Sequence, residues 1–446
     1  MIGEMKSSAS FIAMAAVAGL VIAGATLAPK AARAADLGGD CCADLESRVA
    51  ELEATTARKG NKKVSLTITG RVAATMTWWN DGGGNLDPAI ANDEHSDLAF
   101  GDHSGNGPEI IVKGEGKISS DMTAGYYMEV AFDGTLNGST VLATGAKGVS
   151  GSTQVSHEAA GGSNLNNGVN DTYVYLSSKR LGTLQLGRVD NAGDEYFSNF
   201  NNAYVAGQEA GRFTGLLLRD VNGKLTSTTF GTFLSTLEPN YPGNGLRYIS
   251  SNLGDDKNNV NFTASVASEN NWGIGANAKF TASTVNVKAG IGYGANSEID
   301  GNNTFLGVSA GIKETTSGLF LEGQWAKRTL GMVGVTDATE WMIQGGWEKN
   351  VTGIGETNIW ASYNRNDGGL GLSAGSASAH SFQLGIDQTI DSAASHLFLT
   401  YENDGMDTDG LVGNASALYA DGSSATGAIV NSQMSNSVTA GMSVSF

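Results

Sequence analysis

The sequence predicts an all-β fold: a transmembrane antiparallel β-barrel of about sixteen strands preceded by a short periplasmic α-helix. Three observations carry this expectation. The chain opens on an export signal, most of its length alternates apolar and polar residues with a period of two, and the charged residues keep to one parity of that alternation. The final stretch "VTAGMSVSF" shows the pattern, with Val438, Ala440, Met442, Val444 and Phe446 on one face and Thr439, Gly441, Ser443 and Ser445 on the other. Glycine is abundant at 62 of 446 residues and proline scarce at 5, and the mean hydropathy is −0.14. That composition suits many short strands and excludes both a disordered linker and a bundle of membrane helices.

The amino-terminal segment sets the compartment. Lys6 precedes an apolar run from Phe11 to Ala28, and Ala32-Arg33-Ala34 has the small-x-small form of a cleavage site, so residues 1–34 read as a signal peptide and Ala35 as the mature start. Met5 is a suitable start codon product because it leaves Glu4 out of the basic leader. An uncleaved anchor helix is the alternative. Removing the leader takes away Glu4, Lys6, Lys30 and Arg33, a net +2, and turns the formal charge of −18 into −20. Such an acidic chain is no nucleic-acid binder relying on general basicity. No later stretch offers the roughly twenty apolar residues of a membrane helix, and an exported chain without one can still cross a membrane as a closed barrel.

Residues 35–62 form the predicted periplasmic extension. In "CCADLESRVAELEATTARKG" the positions Cys42, Leu45, Val49, Leu52 and Thr56 step by 3, 4, 3 and 4, an a/d seam with Arg48 and Glu53 at flanking g and e positions. Two heptads do not hold alone, so the reading is a small parallel bundle on the axis of an oligomer, with Cys42, Leu45, Val49 and Leu52 as its seam. A lone amphipathic helix against the barrel rim is the alternative. Cys41 and Cys42 are the only cysteines, and an oxidising periplasm permits inter-chain disulfides between them.

Residues 63–446 are the predicted barrel. In "VSLTITGRVAATMTWW" Val64, Leu66, Ile68, Val72, Ala74, Met76 and Trp78 share one side; "EIIVKGEGKI", "AGYYMEVAFD" and "STVNVKAGIGYG" follow the same rule, with Ile111 out of phase. Arg71, Glu109, Lys113, Glu115, Lys117, Glu129, Arg247, Lys279, Lys288, Lys313, Glu322, Glu348 and Asp387 all fall on the polar side, and Lys327 breaks the rule at a strand end. A soluble sandwich would give the same alternation. The export signal, the aromatic strand ends (Trp78, Trp79, Tyr293, Trp325, Trp341, Trp347, Tyr401) and the terminal Phe446 favour lipid outside and a wet lumen inside. Short turns are expected near 119–121, 178–181, 252–259, 281–283, 314–317, 350–355 and 391–395, and a short loop near 268–271. Long connections are expected at 80–107, 134–170, 190–244, 294–302, 330–338, 366–378 and 403–432.

"DTYVYLSSKRLGTLQLGRVDNAGDEYF", Asp171 to Phe197, resembles the hairpin that precedes the constriction loop of general bacterial outer-membrane porins, and "NGLRYIS" from Asn244 resembles the strand that follows that loop. With its helical extension the chain is most similar to the alphaproteobacterial type, although its third loop lacks the "PEFGG"-type stretch of enterobacterial members. The resemblance implies a homotrimer of water-filled channels in the outer membrane of a Gram-negative bacterium, with both termini in the periplasm, contacts to lipid and lipopolysaccharide, and delivery to the barrel-assembly machinery through the carboxy-terminal strand and Phe446. It also implies passage of small hydrophilic solutes.

A pore needs a narrowing that sets size and charge preference. The long loop after Val189 carries Asp190, Asp194, Glu195 and Glu209 and is the candidate constriction loop; Arg71, Lys113, Lys117, Arg247, Lys279 and Lys288 are the candidate lumen cations facing it. Opposed charges would set up a transverse field, and the net charge predicts weak cation preference. No catalytic cysteine, phosphate loop or nucleophile–base–orienter set occurs, so the chain does not read as an enzyme. "NDEHSDLAFGDH", Asn92 to His103, matches no ligand spacing; acidic external loops suit at most loosely held Ca²⁺, and no cofactor is expected. Two other readings stay open: a substrate-selective channel for sugars or carboxylates, and a surface adhesin or structural barrel.

Overall fold

The computed structural model of the protein describes residues 64–82, 95–101, 108–131, 169–196, 200–203, 217–219, 222, 225–229, 243–268, 271–296, 303–329, 337–368, 377–408, 411–412, 429–430 and 433–446. The predicted signal peptide, the predicted helical extension with Cys42, Leu45, Val49 and Leu52, and Glu209 lie outside them.

Sixteen antiparallel strands form a closed barrel. They are β1 (Thr67–Asn80), β2 (Ser96–Gly101 continued by Glu109–Lys117), β3 (Met122–Ala131), β4 (Val169–Ser178), β5 (Gly182–Val189), β6 (Gly243–Ile249 continued by Leu253–Gly254), β7 (Asn259–Ala267), β8 (Asn271–Ala282), β9 (Val285–Asn296), β10 (Asn303–Glu314), β11 (Leu319–Thr329), β12 (Ala338–Lys349), β13 (Thr357–Asp367), β14 (Ala377–Ile390), β15 (Ser395–Thr408) and β16 (Gln433–Ser445). Each pairs with its sequence neighbours, and β1 pairs with β16 from Arg71↔Ser445 to Asn80↔Asn436, which closes the ring. Phe446 extends that seam: its N–H donates to the Gly70 carbonyl at 2.9 Å and its own carbonyl accepts from Gly70 N–H at 3.0 Å. Closure gives every strand a partner on both sides, the condition for backbone to lie in hydrocarbon.

The two ends of the barrel differ as the residue types demand. Short turns join strands at 118–121, 179–181, 255–258, 283–284, 315–318, 350–356 and 391–394. Asp255 builds one of them by accepting from the N–H groups of Lys257 (2.8 Å) and Asn258 (2.6 Å), and Gly318, at φ +83°, supplies a left-handed turn in another. Three stretches expected as loop carry structure: Ser96–Gly101 pairs with the end of β1, Leu217–Arg219 pairs with Leu225–Thr229 beyond β5, and Leu411–Val412 pairs with Ile429–Val430 beyond β15. The first is short and interrupted from Glu109 by seven residues, so its alternation was too brief to read as strand.

The outer face is apolar. Val72 and Leu186 are each 58% exposed on the protein surface, where only lipid would cover them. Inward-facing positions carry every charge assigned to the polar parity, and Ile111, paired with Thr69, faces inward with them. Lys327 faces outward at its strand end and reaches Asp337 at 2.8 Å. Trp79 corrects the girdle expectation. Successive strand residues face opposite sides, so only Trp78 can lie outside, and Trp79 is fully buried on the inner face. Several other inward positions are apolar too, notably Phe305, Phe320, Met342, Trp360 and Phe398.

Candidate functional site: an inward loop and the wall it faces

After Val189 the chain turns into the barrel. Asn191 makes the turn: its Oδ1 accepts from Gly193 N–H at 2.8 Å, and its amide donates to Asn271 Oδ1 at 2.5 Å and the Trp272 carbonyl at 3.3 Å. The Ala192 N–H donates to Ser265 Oγ at 2.7 Å. A 3₁₀ helix, Ala192–Tyr196, then lies along the wall formed by β7 to β10. Glu195 accepts from Arg247 of β6 and from the Asn277 amide of β8, and Arg247 also reaches Asp190 at 3.5 Å. The Tyr196 carbonyl accepts from Ser309, while its ring rests on Phe305 with centroids 5.2 Å apart, beside Ala326 and Ala338.

Further on, Phe200 N–H donates to Glu322 at 2.6 Å and its ring packs with Phe320 and Trp360. Asn201 bridges Gln344 (3.1 Å) and Asn358 (2.7 Å). Asn202 gives both its backbone and side-chain N–H groups to Glu348, at 3.2 and 2.8 Å, and Glu348 also holds Lys313. The loop therefore spans the inner wall from β7 to β13, fastened by polar ladders and two apolar pads.

The wall beneath it is shaped for backbone contact. A Cβ on Gly275, Gly290 or Gly292 would run into the carbonyls of Ala192, Tyr196 and Gly193 respectively. Glycine at these three inward positions is what lets the loop's main chain lie directly on the sheet. The buried carboxylates nearby are shared among amides: Glu340 accepts from Gln324 at 2.9 Å and Asn364 at 3.3 Å. Each buried charge thus meets donors, without which its burial would be costly.

The opposite wall is different in kind. Strands eight places apart stand across the ring from each other, so β3 faces β11 and β4 faces β12. Lys113, Glu115 and Lys117 are exposed on β2. Arg71 pairs with Glu109 at 3.2 Å, and Lys113 Nζ lies 5.7 Å from the Tyr127 ring centroid. Tyr127 stacks on Tyr173 at 5.2 Å and 12°, and Tyr175 meets Tyr173 edge-on at 6.4 Å. Two of the phenols donate to carboxylates, Tyr127 to Glu129 at 2.7 Å and Tyr175 to Glu115 at 3.0 Å.

These positions rearrange the expected opposition of charges. Asp190 and Glu195 meet Arg247 on one wall as a clamp on the loop's entry, so that cation does not face them across water. Lys288 also lies under the loop, with Nζ 4.6 Å from the Phe200 ring centroid, and faces Lys279 across the β8–β9 pair. Arg71, Lys113 and Lys117 are the expected cations that stand on the wall left uncovered by the described part of the loop. Asp194 sits half-buried in the 3₁₀ helix. Sequence reasoning missed Asn201, Asn202, Phe200, Phe320, Trp360 and the glycine bed; the readable trace was a broken alternation, "LFLE" and "NIWA", where an aromatic takes a polar-parity position.

The three histidines among the described residues are placed separately. His95 pairs with Asp81 and His396 with Asp387, each at 2.9 Å, and His380 stacks on Tyr363 at 6.2 Å. Among the described residues no group of three or more His, Cys, Asp or Glu is placed to hold a metal.

The model of the Gram-negative porin family matches residues 12–409 of the chain. The chain belongs to that family. The porin fold agrees with solved structures: a trimer form of OmpT, an outer membrane protein of Vibrio cholerae, is similar at 12% identity and a TM-score of 0.51, covering 86% of this chain and 100% of that one. OmpT expressed in the outer membrane of Vibrio cholerae is similar at 12% identity and a TM-score of 0.50, covering 87% of this chain and 99% of that one. The outer membrane channel DcaP of Acinetobacter baumannii is matched at 13% identity and a TM-score of 0.48, with 87% and 99% covered. No curated protein matches the porin by sequence. The porin is an outer-membrane channel, and the inward loop with the wall it faces is its candidate narrowing.

Proposed function

We propose that this porin is a passive diffusion channel for small hydrophilic solutes and ions, with a weak preference for cations. The observation that carries the reading is the loop fastened along β7 to β13 while the facing wall keeps Lys113, Glu115 and Lys117 exposed beside half-buried tyrosines. A polar lumen narrowed on one side admits solutes by size and tolerates charge of both signs. The excess of 45 acidic over 27 basic residues supports the cation preference. Planar-bilayer recordings under a KCl gradient test it: a reversal potential with the sign of K⁺ selectivity is expected, and the Cl⁻ sign overturns the preference. Absence of any conductance after reconstitution would instead favour the adhesin or structural reading.

The same proposal includes a homotrimer with both termini in the periplasm and the seam Cys42, Leu45, Val49 and Leu52 on its axis. The heptad spacing supports it. Cross-linking of the detergent-purified protein should give a trimer band that weakens when Leu45 and Leu52 are replaced by Asp; an unchanged band would remove the seam from the assembly.

A further inference from the structure

Lys113, Glu115 and Lys117 occupy three successive inward positions of β2, and all three are exposed. Their charges alternate along the strand, with about 6.8 Å from one inward position to the next. Side chains of that length can pair across one such step. These do not: Glu109 of the same strand pairs with Arg71 at 3.2 Å, whereas Lys113, Glu115 and Lys117 enter no ion pair among the described residues.

Their neighbours hold the charges apart. Glu115, Gly125 and Tyr175 form one register row across β2, β3 and β4. Gly125 carries no side chain, and a Cβ there would stand 2.5 Å from the Tyr175 hydroxyl. The phenol therefore crosses a whole strand and donates to Glu115 Oε2 at 3.0 Å, which positions the carboxylate and leaves Oε1 without a partner among the described residues. Lys113 rests instead beside Tyr127, with Nζ 5.7 Å from the ring centroid, within the range of a cation–π contact. Lys117 closes the row at the end of the strand.

An unpaired row of plus, minus and plus selects its ligand. A lone anion on either lysine meets Glu115 one step away, and a lone cation on Glu115 meets a lysine on both sides. A neutral hydroxylated molecule gains nothing from the charges. A zwitterion is matched at both ends. In an α-amino acid two bonds of about 1.5 Å keep ammonium and carboxylate about 3 Å apart. With a charge-assisted hydrogen bond of about 2.8 Å at either end, that head bridges one step of the row. We propose that Lys113, Glu115 and Lys117 form a lumen subsite for zwitterionic α-amino acids, which rests on the channel reading and adds a substrate class to it. The ammonium goes to Glu115 and the carboxylate to Lys113 or Lys117, so the row offers two overlapping seats.

The test is uptake into liposomes containing the porin, with radiolabelled L-glutamine and, separately, its uncharged analogue N-acetyl-L-glutaminamide. Glutamine uptake should saturate and be inhibited by unlabelled L-serine, while uptake of the analogue should rise linearly. Glu115→Gln should raise the half-saturating concentration about three- to fivefold, the range of an exposed charge pair. Tyr175→Phe, which removes only the hydroxyl that positions the carboxylate, should raise it about twofold. The combined exchange Lys113→Glu, Glu115→Lys and Lys117→Glu inverts every sign but keeps the alternation, and should saturate at a lower concentration than Glu115→Gln. Linear uptake of glutamine, an unchanged half-saturation in Glu115→Gln, or inhibition by succinate or tetramethylammonium as strong as by L-serine overturns the subsite and leaves the diffusion channel standing. No uptake of either solute by the unaltered protein overturns both.

Discussion

The two walls of the lumen are made from the same alternating strands, yet their inward faces are built for different neighbours. On β8 to β13 many inward positions are glycine, aromatic rings and amide–carboxylate ladders against which Asn191–Tyr196 and Phe200–Ala203 lie, with Lys279 left exposed. On β2 to β4 they are the exposed Lys113, Glu115 and Lys117, half-buried carboxylates and a tyrosine stack. Facing inward is therefore not one environment: a lumen residue either holds the loop or meets the solution, and its chemistry follows from which.

The comparison can be broken most severely at Glu348. It is nearly fully buried and neutralises Lys313, whose side chain is 16% exposed, while anchoring Asn202. Glu348→Gln should cost about 3 kcal/mol of local stability by leaving that lysine unpaired. The expected readout is faster proteolysis around Phe200–Ala203 in detergent and noisier single-channel current. The same exchange at Glu115 on the open wall should change neither; equal effects at the two sites would erase the distinction.

Next in size is the glycine bed. Gly292→Ala places a methyl group against the Gly193 carbonyl, an overpacking of about 1–3 kcal/mol that lifts the loop. Larger neutral polyethylene glycols should then enter the pore. An unchanged exclusion limit would mean that the loop does not set the narrowing.

A smaller effect sharpens the contrast in charge. Lys113→Gln removes an exposed cation from the open wall and should move the reversal potential toward stronger K⁺ preference, by less than about a factor of two in permeability ratio at physiological salt. Lys288→Gln, beneath the Phe200 ring, should move it less. The reverse ranking would place the ion path under the loop.

The smallest effect lies in a turn. Backbone N–H groups of Asn258 and Lys257 hold the Asp255 carboxyl below its ordinary range. A folded pKa below the unfolded one gives stabilisation that is present above the unfolded value and is lost as pH falls through the folded value. Amide exchange at Lys257 and Asn258 should therefore lose protection, relative to neighbouring strand amides, only at pH below about 4. Constant relative protection at lower pH would remove this role.

Much of this was legible in residue order. The parity of Arg71, Glu109, Lys113, Glu129, Arg247, Lys288 and Glu322 placed each on the inner face, and the turn residues near Asp121, Asp255 and Asp391 marked one rim. The loop's path was not legible, because period-two patterning reports which side a residue faces and nothing of what comes to lie there. Phe320, Trp360 and Phe305 look like irregularities in a polar face until Phe200 and Tyr196 are seen against them. Gly275, Gly290 and Gly292 look like ordinary strand glycines until the carbonyls above them are placed. Trp79 shows the converse error: a residue type typical of an interface was assigned outward against its own parity.

The seam between β1 and β16 has a further consequence. Its partners, such as Arg71 and Ser445, are separated by nearly the whole barrel sequence, so the ring cannot shut until the final strand has left the ribosome and crossed the inner membrane. Until then two long ribbon edges with unpaired peptide groups stand open to any other extended chain. Those edges stay open for the whole passage to the outer membrane, and the two hydrogen bonds between Phe446 and Gly70 are part of the latch that covers them.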